Sequence, residues 1–213
     1  MMKKISFSER YGMQQAVLDG TKTMTRRIIP DIKIEWNRRG EVTLPVGGFE
    51  NDVLFMDVRK ILPDMGRSDY SAPTKYQPRY KRGEEVAVAQ RYEDAIHPLD
   101  WVNKLIYEDE PGWKNKMFVR ADLMPHRIRI TDIRVERLQD ISESDIVSEG
   151  IKMRFGEGQT KPYFTFPKWD DNDPSTIFLT PREAFAALID CISGRGTWQR
   201  NPWVYVYEFE LIK

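Results

Sequence analysis

The sequence predicts an α+β protein whose strands form one β-barrel with helices packed against it, on three observations. Runs 85–91, 127–138 and 203–212 alternate apolar and polar residues, the period-two mark of half-buried strands. Thr180-Pro181-Arg182-Glu183 opens a helix with a capping threonine, proline at the first helical position and glutamate at the third. Phe185, Leu188, Ile189 and Ile192 then form one apolar stripe, so that helix packs on the barrel. Ser142 with Asp145 imitates a capping box, and Gly150 closes a second helix.

The bulk numbers bound the function. With 213 residues and 40% apolar content, the chain suffices for one domain with insertions, placed at about 30–78, 95–118 and 151–179. Lys plus Arg equals Asp plus Glu at 33 each, so any nucleic-acid site must be a local basic patch. One cysteine, Cys191, excludes a disulfide framework and points to a reducing cytoplasm. Two histidines, His97 and His126, leave little material for a zinc site, and no metal or cofactor is expected. No apolar run reaches the ~18 residues of a membrane span. The start Met1-Met2-Lys3-Lys4-Ile5 lacks the apolar core of a signal peptide.

In chain order, Lys3 to Phe7 is a first strand. Ser8 to Asp19 reads as a short helix with Ser8 as N-cap, a buried face of Met13, Ala16 and Val17, and Gly20 in the left-handed position that ends it. Thr23 to Ile29 is β-branched and alternating, which puts Lys22 on the turn between helix and strand. In a regular strand Thr25 and Arg27 share one face, and Met24 and Arg26 the other. Lys22 and Thr25 converge only if Lys22 stays on the turn. A desolvated lysine amine beside a hydroxyl can take its proton, and two arginines can hold a phosphate or carboxylate; a solvated turn with a basic strand end has the same spacing.

Residues 30–78, rich in proline, form a decorating insertion with a hairpin of 42–44 and 53–56. Tyr76 to Gly83 interleaves Arg79, Lys81 and Arg82 with tyrosines, a pattern that suits nucleic-acid contact or a solvated turn. Residues 97–116 read as a loop with a short hairpin at Leu105-Ile106-Tyr107. In 127–138, Ile128 and Ile130 point inward and Arg127 and Arg129 outward. Glu149, in the last turn of the helix after it, sits where the dipole disfavours a carboxylate anion, the condition a general acid needs. The run Asp170-Asp171-Asn172-Asp173 lacks the glycine and distal glutamate of a calcium loop. Phe164, Phe166 and Trp169 could cover a pocket. Cys191 is a packing residue.

Gly20, Lys22, Thr25 and Arg27 together resemble the G-x-K-x-x-T-x-R signature of the ASCH domain family. Met124-Pro125-His126-Arg127-Ile128, the 133–138 strand, and the Asn201-Pro202-Trp203-Val204 entry to the last strand are similar to the phage and prophage type of that family. The resemblance covers about 8–29, 83–92, 124–150 and 181–212 and skips the insertions. Glu84, Gln90 and Tyr92 stand where the family carries an aspartate, an acidic residue and a tryptophan. The resemblance implies a PUA-like mixed β-barrel that binds RNA or a modified nucleobase or nucleoside, with Arg26, Arg27, Arg79, Arg82, Gln90, Tyr92, Arg127 and Arg129 as candidate contacts. The barrel also resembles acetylcytidine amidohydrolase, which implies Lys22 as base, Thr25 as nucleophile and Glu149 as proton donor in removing an acyl group from a base. A phage accessory protein that makes only an RNA or protein contact is a third reading.

Overall fold

The computed structural model describes residues 2–29, 45–50, 53–61, 68–70, 74–76, 78–96, 100–158, 160–168 and 177–212. The elements run β1 (Lys3–Ile5), α1 (Met13–Leu18), β2 (Met24–Ile28), β3 (Pro45–Glu50), β4 (Val53–Ile61), β5 (Ser68–Tyr70), β6 (Thr74–Tyr76), β7 (Glu85–Val88), α2 (Tyr92–Ala95) and α3 (Trp101–Tyr107). They continue with β8 (Arg127–Arg137), α4 (Glu143–Ser148), β9 (Lys152–Phe155), β10 (Pro162–Thr165), α5 (Pro181–Ser193), α6 (Thr197–Arg200) and β11 (Trp203–Ile212).

The three alternating runs are neighbours in one mixed sheet of order β1-β7-β8-β11-β2, with β1 parallel to β7 and the other pairs antiparallel. β8 and β11 form its longest pairing, from Trp203 opposite Arg137 to Ile212 opposite Arg127. The register shifts between Glu208 and Phe209, which face Asp132 and Ile130, so Thr131 is passed over. That bulge changes the parity of β8. Ile128 and Ile130 are fully buried before it and Ile133 after it, while Arg134 and Glu136 turn to the face that carries Arg26. The core gathers Ile5, Val17, Val86, Val88, Ile146, Phe185, Leu188 and Val206 from sheet and helices together.

Local chemistry explains most of the boundaries. α5 carries the full capping box: the Glu183 N–H donates to the Thr180 hydroxyl at 3.2 Å, and the Thr180 N–H donates to the Glu183 carboxylate at 3.2 Å. α4 begins at Ser142, whose hydroxyl accepts from the Asp145 N–H. α1 is shorter than expected. It starts after Gly12, and the Ser8 carbonyl, not its hydroxyl, takes the Gln14 N–H.

Three further expectations change. The hairpin of the first insertion pairs β3 with β4; residues 42–44 lie outside the described residues. β4 also pairs with β5 and β6, so this segment builds a small sheet of its own. Residues 105–107 belong to helix α3 and not to a hairpin, because Asp100 caps the Asn103 N–H and side chain and sets a helical start. The third insertion, in which no strand was expected, pairs β9 with β10 around the Gly156–Gly158 turn. His97, Trp169 and the 170–173 acidic run lie outside the described residues. Among the described residues no helix is long and apolar enough to cross a membrane.

Thr180→Ala removes one arm of the capping box on the helix that closes the core. It should lower the unfolding free energy by about 1 kcal/mol, read from the urea midpoint; an unchanged midpoint would mean that the cap contributes nothing.

Candidate active site

Two helix ends build the site. After α1 the Gly20 N–H donates to Val17 O at 3.0 Å and the Thr21 N–H to Ala16 O at 2.9 Å. After α4 the Gly150 N–H donates to Val147 O at 2.8 Å and the Ile151 N–H to Ile146 O at 3.3 Å. Both are Schellman closures, with left-handed glycines at φ 72 and 101. The Thr23 N–H then donates to Ser148 O at 2.9 Å and ties the two ends together. Lys22, on the turn between α1 and β2 as expected, is 3% exposed, and its ammonium donates to the Glu149 carbonyl at 2.7 Å and to Glu149 Oε2 at 2.6 Å. A Cβ on Gly150 would lie 3.4 Å from Lys22 Cβ, so the glycine serves both the turn and the lysine beside it.

Glu149 has a second cation. Arg26 Nη1 donates to Glu149 Oε1 at 3.1 Å, and Nη2 of the same fork reaches Asp145 Oδ2 at 2.6 Å and Glu136 Oε1 at 2.5 Å. Asp145 and Glu149 stand one helical turn apart and so face Arg26 together. Arg134 shares this network, donating to Asp145 at 2.5 Å, to Glu136 at 3.2 Å and to Glu208. Phe185 of α5 lies under Arg26 with its ring centroid 6.0 Å from the guanidinium carbon. Arg26 is therefore a hub that holds carboxylates, and its fork is occupied. That corrects its expected role as a phosphate contact: it acts on the site through Glu149.

Lys22, Thr25, Arg26, Arg27 and Glu149 all line one cavity of about 850 Å³, closed on the other side by Phe7, Tyr11 and the α5 residues Phe185 and Leu188. β2 is the edge strand of the sheet, so side chains from both of its faces reach this space. Thr25 is buried, and among the described residues its hydroxyl has no hydrogen-bond partner. Burial pulls the Lys22 amine below its ordinary value, with Arg27 and Arg26 adding to the effect and Glu149 opposing it. The arrangement sets a buried amine of lowered basicity, a carboxylate hydrogen-bonded to it and a hydroxyl on the wall of one cavity.

The remaining candidates scatter. Arg27 donates to Ser6 O at 2.6 Å and sits over the Phe7 ring, at the border of a second cavity that Arg79 also lines. Arg82 pairs with Asp132, and Arg129 with Glu85 and Glu210 at 3.2 Å each, out on the solvent face; Arg127 is half-buried on the same strand. Gln90 Oε1 accepts from His126 Nδ1 at 2.7 Å, and the Tyr92 hydroxyl accepts from the Arg120 N–H at 2.9 Å. Neither Gln90 nor Tyr92 lines the Lys22 cavity. The expected single positive patch is thus divided among separate places. Asp145, Glu136 and Arg134 were missed as site residues, although the four-residue step from Asp145 to Glu149 was visible on the helix. Among the described residues no three His, Cys, Asp or Glu side chains converge in a metal-holding arrangement. Compared with models of protein families, with curated proteins and with solved structures, the chain matches none.

The hub has measurable consequences. Arg26→Met leaves three carboxylates facing one another and should cost about 3–5 kcal/mol of stability; Arg26→Lys should not restore it, since an ammonium lacks the fork. Urea unfolding checks both. Burial raises the Asp145 carboxyl, but Arg26 and Arg134 outweigh it and hold it below its ordinary 3.8. Its ion pairs therefore stabilise the fold above the unfolded-state value, and that stability is lost as pH falls through the lower folded value. The stability gap between wild type and Asp145→Asn should accordingly be widest near neutrality and close as pH falls below about 4. A gap independent of pH would exclude an ionised Asp145.

Proposed function

We propose that the protein is an ASCH-type nucleobase or nucleoside-binding protein whose ligand enters the cavity walled by Lys22, Thr25 and Glu149. The observation that carries this is the convergence of those three residues on one cavity, with the lysine fully buried against the glutamate. Mutually paired polar groups in a cleft walled by aromatic and apolar residues on one side and charged ones on another suit a flat, polar ring that needs a few fixed hydrogen bonds. Among the described residues no strand pairing closes the five-stranded sheet into the implied PUA-like barrel, and one side-chain contact spans its two edges. Arg27, on the edge strand β2, reaches the carbonyl of Ser6, which directly follows the opposite edge strand β1.

One observation favours a second reading, hydrolysis of an acyl amide on the base: the Thr25 hydroxyl has no partner among the described residues while a lysine amine of lowered basicity shares its cavity. Moving one proton along the 2.6 Å Lys22–Glu149 hydrogen bond converts the ion pair into a neutral amine and a carboxylic acid. The amine can then take the Thr25 proton as Oγ bonds to the acyl carbon. The acid can protonate the nitrogen as the C–N bond breaks, and water then cleaves the threonine ester. Arg26 restrains that proton transfer by holding the other Glu149 oxygen.

The test is purified protein with N4-acetylcytidine, read by calorimetry for binding and by mass spectrometry for the deacylated product. Binding should weaken in Glu149→Gln and Lys22→Met. If the second reading holds, Thr25→Ala keeps binding but lowers turnover by ~10² or more, and Lys22→Arg does not rescue. The reactive form, amine beside carboxylic acid, holds the same proton as the ion pair, so the rate should fall as pH rises through the lowered Lys22 value, below 10.5, where that proton is lost. Binding without product leaves the first reading alone; no binding of acylated or plain nucleosides rejects both.

A further inference from the structure

The second cavity, about 480 Å³, adjoins the first and shares Ser6, Arg27, Ile28 and Lys116 with it. Its lining holds four cations, Lys4, Arg27, Arg79 and Lys116, and among the described residues no Asp or Glu. This contrasts with the Arg26 hub, where every arginine has its carboxylates. Lys116 is committed, to Phe7 O, Gln14 and Glu9. The other three retain donors. The Lys4 ammonium gives two hydrogens, to Met117 O at 2.7 Å and Val119 O at 2.6 Å, and keeps a third. Arg27 gives one, to Ser6 O. The Arg79 side chain lies over the Tyr80 ring at 5.7 Å and, among the described residues, has no hydrogen-bonding partner.

We propose that this cavity is a phosphate subsite, so that the ligand of the Lys22–Thr25 cavity is a nucleoside monophosphate and not a free nucleoside; the proposal rests on the nucleobase reading above. Unbalanced cations crowded in a half-enclosed space repel one another, and a dianion between them relieves the repulsion while taking up their unused donors. The crowding registers on Lys4, which is pulled below its ordinary value by burial and then by Arg79. Tyr207 adds a neutral donor: its hydroxyl accepts from the Arg79 N–H, leaving its own hydrogen to give, and burial pushes it up to about 12, so it stays protonated at neutral pH. The geometry along β2 links the two subsites. Thr25 and Arg27 are two residues apart on one face, a rise of about 7 Å, on the order of the length of a sugar between a base and its phosphate. Arg27 stands at the junction, bordering both cavities.

The experiment compares N4-acetylcytidine with its 5′- and 3′-monophosphates by calorimetry at low salt, in wild type and Arg79→Glu. Inorganic phosphate is added separately and followed by phosphorus NMR. Arg79 is exposed and lies outside the first cavity, so reversing its charge leaves the fold and the nucleoside affinity intact; circular dichroism verifies the fold. One monophosphate should bind wild type about tenfold or more tighter than the nucleoside, the scale of one or two charge-assisted hydrogen bonds. That advantage should vanish in Arg79→Glu, and inorganic phosphate should compete with the nucleotide but not with the nucleoside. Equal affinity for nucleoside and both monophosphates overturns the subsite while leaving the nucleobase reading in place. Arg79-dependent binding of inorganic phosphate with no binding of any nucleoside or nucleotide overturns the nucleotide assignment and the nucleobase reading together. Absence of any Arg79-dependent phosphate binding overturns the proposal outright.

Discussion

The structure around the cavity depends on one buried carboxylate, Glu149, held between the Lys22 ammonium and the Arg26 guanidinium. All three side chains are at most 5% exposed, so none of the charges is balanced by water. Removing any one leaves a buried charge uncompensated, a far larger penalty than the pair is worth in net stability. The same contact ties together parts distant in sequence: the end of α1, the edge strand β2 and the end of α4. Each helix end must stop abruptly to deliver its residue. Gly20 and Gly150 supply the left-handed turns that do so, and the Thr23–Ser148 backbone hydrogen bond sets the two ends at a fixed offset. An ion pair is weak evidence for stability, but as a register device it is effective, because a one-residue slip in β2 would swap Arg26 for Thr25 or Arg27.

Around that contact the charges are layered. Arg26 and Arg134 face the same residue of β11, Val206, from its two sides, and Asp145 accepts from both. Two guanidiniums on strands that flank β11 would repel; the carboxylate that both donate to turns that repulsion into a bridge between the sheet and α4. Phe185 covers the Arg26 fork from α5, which lowers the local dielectric and strengthens each of these contacts. The catalytic possibilities follow from this setting. The Lys22 amine is less basic than a free lysine chiefly because it is buried, and Glu149, its closest partner, works against that shift.

The sheet was legible in the sequence where its periodicity was strict. Ile128 and Ile130, the 203–212 run and the Thr180 cap each state their structure locally, and all three hold. Lys22 on a turn was legible for the same reason: Gly20 ends a helix and β-branched residues follow. What stayed hidden was set by contacts remote in sequence. The parity of β8 changes at Thr131, so Arg134 and Glu136 face inward to Arg26; the change from Ile128 and Ile130 to Ile133 and Val135 writes this into the sequence, but only pairing with β11 makes it a bulge. Helix α3 was misread because apolar Leu105 and Ile106 suggest a strand, while the Asp100 cap that decides the matter is one polar residue upstream. The arginines were read as one patch since they cluster in sequence. Their partners, Asp132, Glu85, Glu210 and Glu136, come from other strands or from later in the chain, and these partners decide which cations are spent.

The neutral net charge of the chain therefore conceals a segregation made by strand alternation. Consecutive residues of β2 point to opposite sides, so Arg26 and Arg27 enter different electrostatic surroundings although they are adjacent in sequence. Arg26 turns to the α4 side and finds three carboxylates. Arg27 turns to the side of Tyr205 and Tyr207, where it donates to a carbonyl and lies among aromatic rings and other cations, with Glu149 acting on it from across the first cavity. One arginine is thereby built into the protein and the other is left with donors to give. Thr25 shares the face of Arg27, and Lys22 shares the carboxylate of Arg26. The edge position of β2 is what lets these two faces meet at one opening: a central strand would have sealed them from each other beneath its neighbours. A cleft that sets a buried lysine–glutamate pair on one side of a strand against cations with unused donors on the other needs only this edge, its alternation and two glycine-ended helices to position it.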